Sequence, residues 1–188
     1  MKKIAITGSL ASGKTTASKI LSAKRGPLFN ADRVVKNIYS SKRLKYLISK
    51  RFKIKNTRNL KNELRNKILQ NKKNINKLEK IIHPIVRKKM KEFLIKNKKK
   101  RFIFFEIPLL IESKLMKNFD LIIFIKSNKD VRLKRFIRKG GSKKLFHILN
   151  NRQLSDIKKT KHCDHVVVNE KNKKFLKKKL LDILKHHV

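Results

Sequence analysis

Eight residues near the start of the chain, Gly8-Ser9-Leu10-Ala11-Ser12-Gly13-Lys14-Thr15, follow the pattern of glycine, any four residues, glycine, lysine and a hydroxyl residue. The apolar run Ile4-Ala5-Ile6 precedes them and a helical pattern from Thr16 to Ala23 follows, the strand, loop and helix setting in which this pattern binds phosphates. The glycines let the backbone curl so that successive N–H groups converge on a phosphate, and the helix N-terminus adds positive partial charge. In such a loop Lys14 meets the β- and γ-phosphates and the Thr15 hydroxyl ligates Mg²⁺. The candidates for nucleoside triphosphate binding are therefore Gly8, Ala11, Ser12, Gly13, Lys14, Thr15 and Thr16, with Lys14 also expected to act in catalysis. An ordinary Gly/Ser turn is the competing reading, and four specified residues at fixed spacing with the right flanks weigh against it.

Other residues could contribute chemistry. Asp32 is the only carboxylate among the first 62 residues and ends a short apolar stretch, Leu28-Phe29, at the edge where open α/β sheets place their ligands. It suits either a catalytic base or a helix N-cap for the segment 33–39. His83 could contact a ligand or simply sit at a helix end. Arg132, Arg135, Arg138 and Lys139, ahead of Gly140-Gly141, have the look of a mobile cover for phosphates, with a solvated charged helix face as the alternative. His162, Cys163, Asp164 and His165 are metal-ligand types, but four consecutive positions leading into a strand alternate in direction and do not converge on one ion.

The elements that must position these groups follow from hydrophobic spacing. Residues 102–107 and 120–125 are continuously apolar until their ends, as parallel strands covered on both faces are, and 165–169 form a last strand. Residues 41–100 show helical spacing and no convincing strand apart from the apolar pair Phe52 and Ile54. His83-Pro84 is expected to interrupt that region, with Pro84 in the first turn of a new helix, and the segment 108–112 to bend into a short helix. A helix is expected to end before Gly140-Gly141, and an amphipathic helix closes the chain. Strands alternating with helices predict an α/β fold with a mainly parallel sheet of about five strands flanked by helices.

The chain has 188 residues, enough for one globular domain with a small inserted subdomain. No apolar stretch approaches the length that crosses a bilayer, and Met1-Lys2-Lys3 runs straight into the first strand without a secretory signal. The single cysteine, Cys163, excludes an internal disulfide framework and suits a reducing cytoplasm. The net charge of +42 raises nucleic acid as a partner. Its distribution reads differently: lysine outnumbers arginine, the basic residues lie in nearly every segment, and Asn and Ile are abundant. These residues have A/T-rich codons, so the charge reads as drift in a biased genome, with nonspecific, salt-sensitive attraction to nucleic acid as its consequence.

Taken in order, Gly8 to Thr16, Asn30-Ala31-Asp32, His83-Pro84 with Arg87, Pro108-Leu109-Leu110 with Glu112, Asn151-Arg152-Gln153, and Cys163-Asp164 followed by 166–169 resemble the dephospho-CoA kinase family over nearly the whole chain. The resemblance implies a nucleoside-monophosphate-kinase-like fold, with 1–188 as a single kinase domain, 41–100 as a helical substrate-binding insertion and 132–152 as a lid. It implies a cytoplasmic enzyme of coenzyme A synthesis that transfers the γ-phosphoryl group of ATP, with Mg²⁺, to the ribose 3′-hydroxyl of dephospho-CoA. It gives Asp32 the role of base and places His83, Pro84, Arg87 and Leu110 at the substrate. Arg152 then lies beside the phosphates as a third catalytic residue, and Arg135 and Arg138 in the lid. Asn30 stands where the family usually has an Asp, Ser9 and Ala11 replace frequent glycines, and Glu106 replaces a frequent Asp. The rival readings are another small-molecule kinase with a phosphate loop, of the nucleoside-monophosphate or shikimate type, a basic RNA-binding protein built on the same loop, and a degenerate structural remnant. The absence of Trp and the scarcity of aromatic residues leave little sign of a stacking platform for bases.

Overall fold

A computed structural model describes residues 1–71 and 73–187 of the chain. The apolar runs form the strands β1 (Lys2–Gly8), β2 (Leu28–Asn30), β3 (Phe102–Glu106), β4 (Leu121–Lys126) and β5 (His165–Val168). They make one sheet in the order β2-β3-β1-β4-β5 with every pairing parallel, the five-stranded α/β architecture expected from the sequence. All of β3 and the first five residues of β4 are buried, because a strand covered on both faces has no side to give to polar residues. β1 lies at the centre, between β3 and β4, so the loop that leaves its C-terminal end opens where the chain switches direction across the sheet.

Helix α1 (Lys14–Ser22) follows that loop; α2 (Ala31–Ile38), α3 (Lys42–Phe52), α4 (Leu60–Gln70) and α5 (Lys73–Lys96) separate β2 from β3. Helices α6 (Lys129–Arg138), α7 (Lys143–Asn151) and α8 (Asp156–Thr160) separate β4 from β5, and α9 (Lys173–Lys185) closes the chain. Ala17 and Leu21 of α1, one turn apart, and Leu176, Leu180 and Leu184 of α9 present apolar stripes to Ile4, Ile6, Ile123 and Ile125 of the sheet. That contact fixes α1 and, with it, the end of the phosphate loop. Among the described residues no helix is long and apolar enough to cross a membrane.

The chain divides into two compact units, Ala31–Ile95 and the sequence on either side of it. The helical unit has its own core of Leu44, Ile48, Phe52, Ile54, Leu60 and Leu64, and it takes in α2 ahead of the stretch that spacing alone delimits. Phe52 and Ile54 form no strand: Lys53 adopts a left-handed φ of 51° that ends α3, and the Ile54 N–H returns to Ser49 O at 2.9 Å. Pro84 does not start a helix but lies inside α5. Proline removes one backbone donor, yet Ile75, Ile82 and Met90 bury one face on both sides of it, and that packing carries the helix through. Nor is the segment after β3 a helix. It is a series of turns, closed by hydrogen bonds from Ser113 N to Leu109 O and from Leu115 N to Leu110 O.

Candidate active site

The loop after β1 places two glycines where side chains have no room. Gly8 sits at φ 150° and a Cβ there would lie 2.4 Å from Ile125 O. Gly13, left-handed at φ 100°, precedes α1, and its Cβ would fall 2.1 Å from Asn169 Nδ2. Ala11 also holds a left-handed conformation, at φ 59°, without the freedom of glycine. The Lys14 ammonium donates to Ser9 O at 2.9 Å, so the lysine spans the loop it belongs to.

Thr15 Oγ1 donates to Glu106 Oε1 at 2.5 Å, and Ser18 Oγ donates to Glu106 Oε2 at 2.9 Å. The Asn30 amide donates to the same Oε2 from the neighbouring strand, where Asn30 and Glu106 are in register. Glu106 is 1% exposed, and these three donors are all neutral. A buried carboxylate beside an exposed threonine hydroxyl is a set of hard oxygen groups whose negative charge a divalent cation would balance, which fits Mg²⁺.

Three elements brace the loop from outside. Ser12 O accepts from Asn169 Nδ2 at 2.8 Å and from Arg135 Nη1 at 3.3 Å, and Arg135 Nη2 also donates to Asn169 O at 3.0 Å. Arg132 is 6% exposed and donates to Ser127 O (3.1 Å), Asn150 Oδ1 (2.8 Å) and Leu10 O (3.4 Å). Burial lowers the pKa of its guanidinium and Asp156 raises it. Arg132, expected in a mobile cover, is a buried strut instead, and the half-buried Arg135 donates through Nη1 and Nη2 to Ser12 O, Ser127 Oγ and Asn169 O. Arg138 is exposed at the end of α6. Residues after α7 hold the other side: Gln153 Oε1 accepts from Leu10 N at 3.1 Å, and Ser9 Oγ donates to Asp156.

The remaining expected residues divide between the two units. Asp32 is exposed in the first turn of α2, inside the helix rather than at its cap. His83 and Arg87 lie one turn apart on α5, with Pro84 exposed between them. Leu110, expected at the substrate, is 0% exposed and is a packing residue. Arg152 ends α7 and is partly exposed. In the His162 to His165 segment the side chains take separate partners: Cys163 Sγ meets Lys159 O at 3.3 Å, Asp164 accepts from Ile122 N at 2.7 Å, and His165 Nε2 meets His187 Nε2 at 2.8 Å. Burial pushes the Cys163 thiol up to about 12, far from a reactive thiolate. Ser127 and Asp156 escaped the sequence reasoning, and Asn169 entered it only as the end of the last strand and of the family resemblance. Their roles come from tertiary contacts, and only Asn169, a polar residue closing an apolar strand, carried any local signal.

The dephospho-CoA kinase family model matches residues 2–174. A dephospho-CoA kinase of Bartonella henselae is 30% identical over 190 residues, covering 98% of this chain and 97% of the relative. One of Fusobacterium nucleatum is 35% identical over 182 residues, covering 94% of each. Among solved structures, a Thermus thermophilus protein superposes with a TM-score of 0.79 at 23% identity, over 100% of this chain and 98% of the other, a likeness of fold.

Proposed function

The chain belongs to the dephospho-CoA kinase family, and from that premise we propose how its own residues divide the work of the family reaction, the ATP-dependent phosphorylation of dephospho-CoA. The protein is a transferase of coenzyme A synthesis. The observation that carries the assignment of roles is the joining of the phosphate loop to a buried carboxylate, Thr15 to Glu106, at the C-terminal edge of the sheet.

The loop N–H groups and Lys14 bind the triphosphate and hold the β- and γ-phosphates against the charge that develops in transfer. Thr15, with Glu106 behind it, would hold Mg²⁺, which when bound neutralises phosphate charge. The 3′-hydroxyl oxygen attacks the γ-phosphorus, the bond to the bridging oxygen breaks, ADP leaves, and the hydroxyl proton passes to the Asp32 carboxylate. Support for Asp32 is its exposure on the first turn of α2, two residues after the Asn30 that contacts Glu106. His83, Pro84 and Arg87 of the helical unit are assigned to binding the acceptor, and Arg138 and Arg152 to the phosphates. A cytoplasmic setting fits the single cysteine.

The test is formation of coenzyme A from ATP, Mg²⁺ and dephospho-CoA, with AMP and shikimate as competing acceptors. Asp32→Asn preserves hydrogen-bond acceptance but takes up no proton. It is expected to keep its melting temperature and ATP binding while the rate falls roughly a hundredfold or more. Wild-type turnover in this variant would make Asp32 structural, and preference for another acceptor would overturn the 3′-hydroxyl assignment.

A further inference from the structure

One buried ion pair has no part in the reaction described above. Lys159 is 0% exposed, and its ammonium lies 2.8 Å from Glu112 Oε1. Glu112 Oε1 also accepts from Leu154 N at 3.2 Å, whereas Glu112 Oε2 is buried without a hydrogen-bond partner among the described residues. A pair kept for stability would satisfy both oxygens, since a buried lone pair left unmade is costly and such pairs rarely outperform apolar packing. The ammonium makes one further contact, to Gln153 Oε1 at 3.3 Å, and that same oxygen accepts from Leu10 N of the phosphate loop at 3.1 Å.

We propose that the Glu112–Lys159 pair is a positioning device for the phosphate loop, acting through Gln153. A glutamine amide presents an oxygen on one side and two donors on the other, and Leu10 N needs the oxygen. An ammonium has donors only, so Lys159 forces the amide oxygen toward itself and Leu10 together. Glu112, 2.8 Å away, supplies the opposite charge that lets an ammonium be buried beside the amide. Leu10 O is held by Arg132 and Ser9 Oγ by Asp156, so with Gln153 in place the outer arm of the loop is fixed at three polar atoms of Ser9 and Leu10. The loop then meets a triphosphate with its N–H groups already aimed, which lowers the ordering cost of binding.

The inference rests on nucleotide binding by the loop, and the experiment separates the two. A fluorescent ATP analogue is titrated into the intact protein and into variants, with no acceptor present. Gln153→Ala is expected to weaken binding about fivefold, the worth of one hydrogen bond. Replacing the pair together, Glu112→Leu with Lys159→Met, leaves no unpaired charge; it should hold its melting temperature and weaken binding by a similar factor. Combining all three changes should add nothing to Gln153→Ala, because the effect passes through that residue. Wild-type affinity in either variant, or losses that multiply in the combination, overturns the proposal. Should the paired variant not fold, Gln153→Ala decides by itself, with wild-type affinity counting against the inference. Lys14→Ala sets the floor: wild-type protein binding no better than that variant would sink the nucleotide-binding reading instead.

Discussion

Ala11 holds φ 59° in the phosphate loop, a conformation that costs an L-residue about 1–2 kcal/mol and costs glycine little. Ala11→Gly removes that strain and returns about 0.5–1 kcal/mol of chain entropy to the unfolded state. The net expectation is a gain of up to about 1 kcal/mol, seen as a melting temperature higher by roughly 2–4 °C in the nucleotide-free protein. A lower melting temperature would mean that the Ala11 methyl contributes packing that outweighs the strain. Ser9, the other residue in place of a frequent glycine, has a different standing. It is 2% exposed and its hydroxyl is used on Asp156, so this departure adds a tie to the loop. Asn30 likewise does not leave a gap, since its amide serves the Glu106 carboxylate.

Helix α6 shows two arginines of one element with opposite duties. Arg132 is buried with three acceptors, so Arg132→Ala should leave Ser127 O, Asn150 Oδ1 and Leu10 O short of a donor and cost about 2–4 kcal/mol, measured by denaturant unfolding. Arg138 is exposed, so Arg138→Ala should leave stability unchanged within about 0.5 kcal/mol. If it meets phosphates, its loss appears in the rate and the KM for ATP. Equal unfolding curves for the two variants would refute this division. Spacing alone could not separate them, because an arginine on a helix in a lysine-rich chain has the same appearance whether it points inward or outward. The strands were legible for the opposite reason: runs such as 102–105 and 121–125 have no polar side, and only a buried parallel strand accommodates that. Pro84 misled because a proline's local effect is plain, whereas the packing of Ile75, Ile82 and Met90 that overrides it is tertiary. The phosphate loop was complete in sequence, but the ties that brace it from outside come from Arg132, Arg135, Gln153, Asp156 and Asn169, all more than a hundred positions away.

At the scale of the whole molecule, a net charge of +42 should attract any RNA. Binding to a homopolymer is expected to be measurable at low salt, to fall steeply and linearly on a double-logarithmic plot as salt rises, and to show no sequence preference. Binding that survives high salt and discriminates sequences would make the charge functional rather than a product of drift. The close approach of Asn169 to Gly13 bears on the same question. Glycine codons begin with two G nucleotides, so a genome drifting toward A and T erodes them, and this chain retains only five glycines. Gly8, Gly13, Gly26 and Gly141 would each bring a Cβ within 2.4 Å of a neighbouring atom, and Gly140 stands at φ 82°. Four of the five thus stand where an added Cβ would crowd a neighbouring atom, and the fifth where the backbone is left-handed. If codon bias has shaped this chain, its remaining glycines are the positions where backbone and neighbours weigh most against replacement.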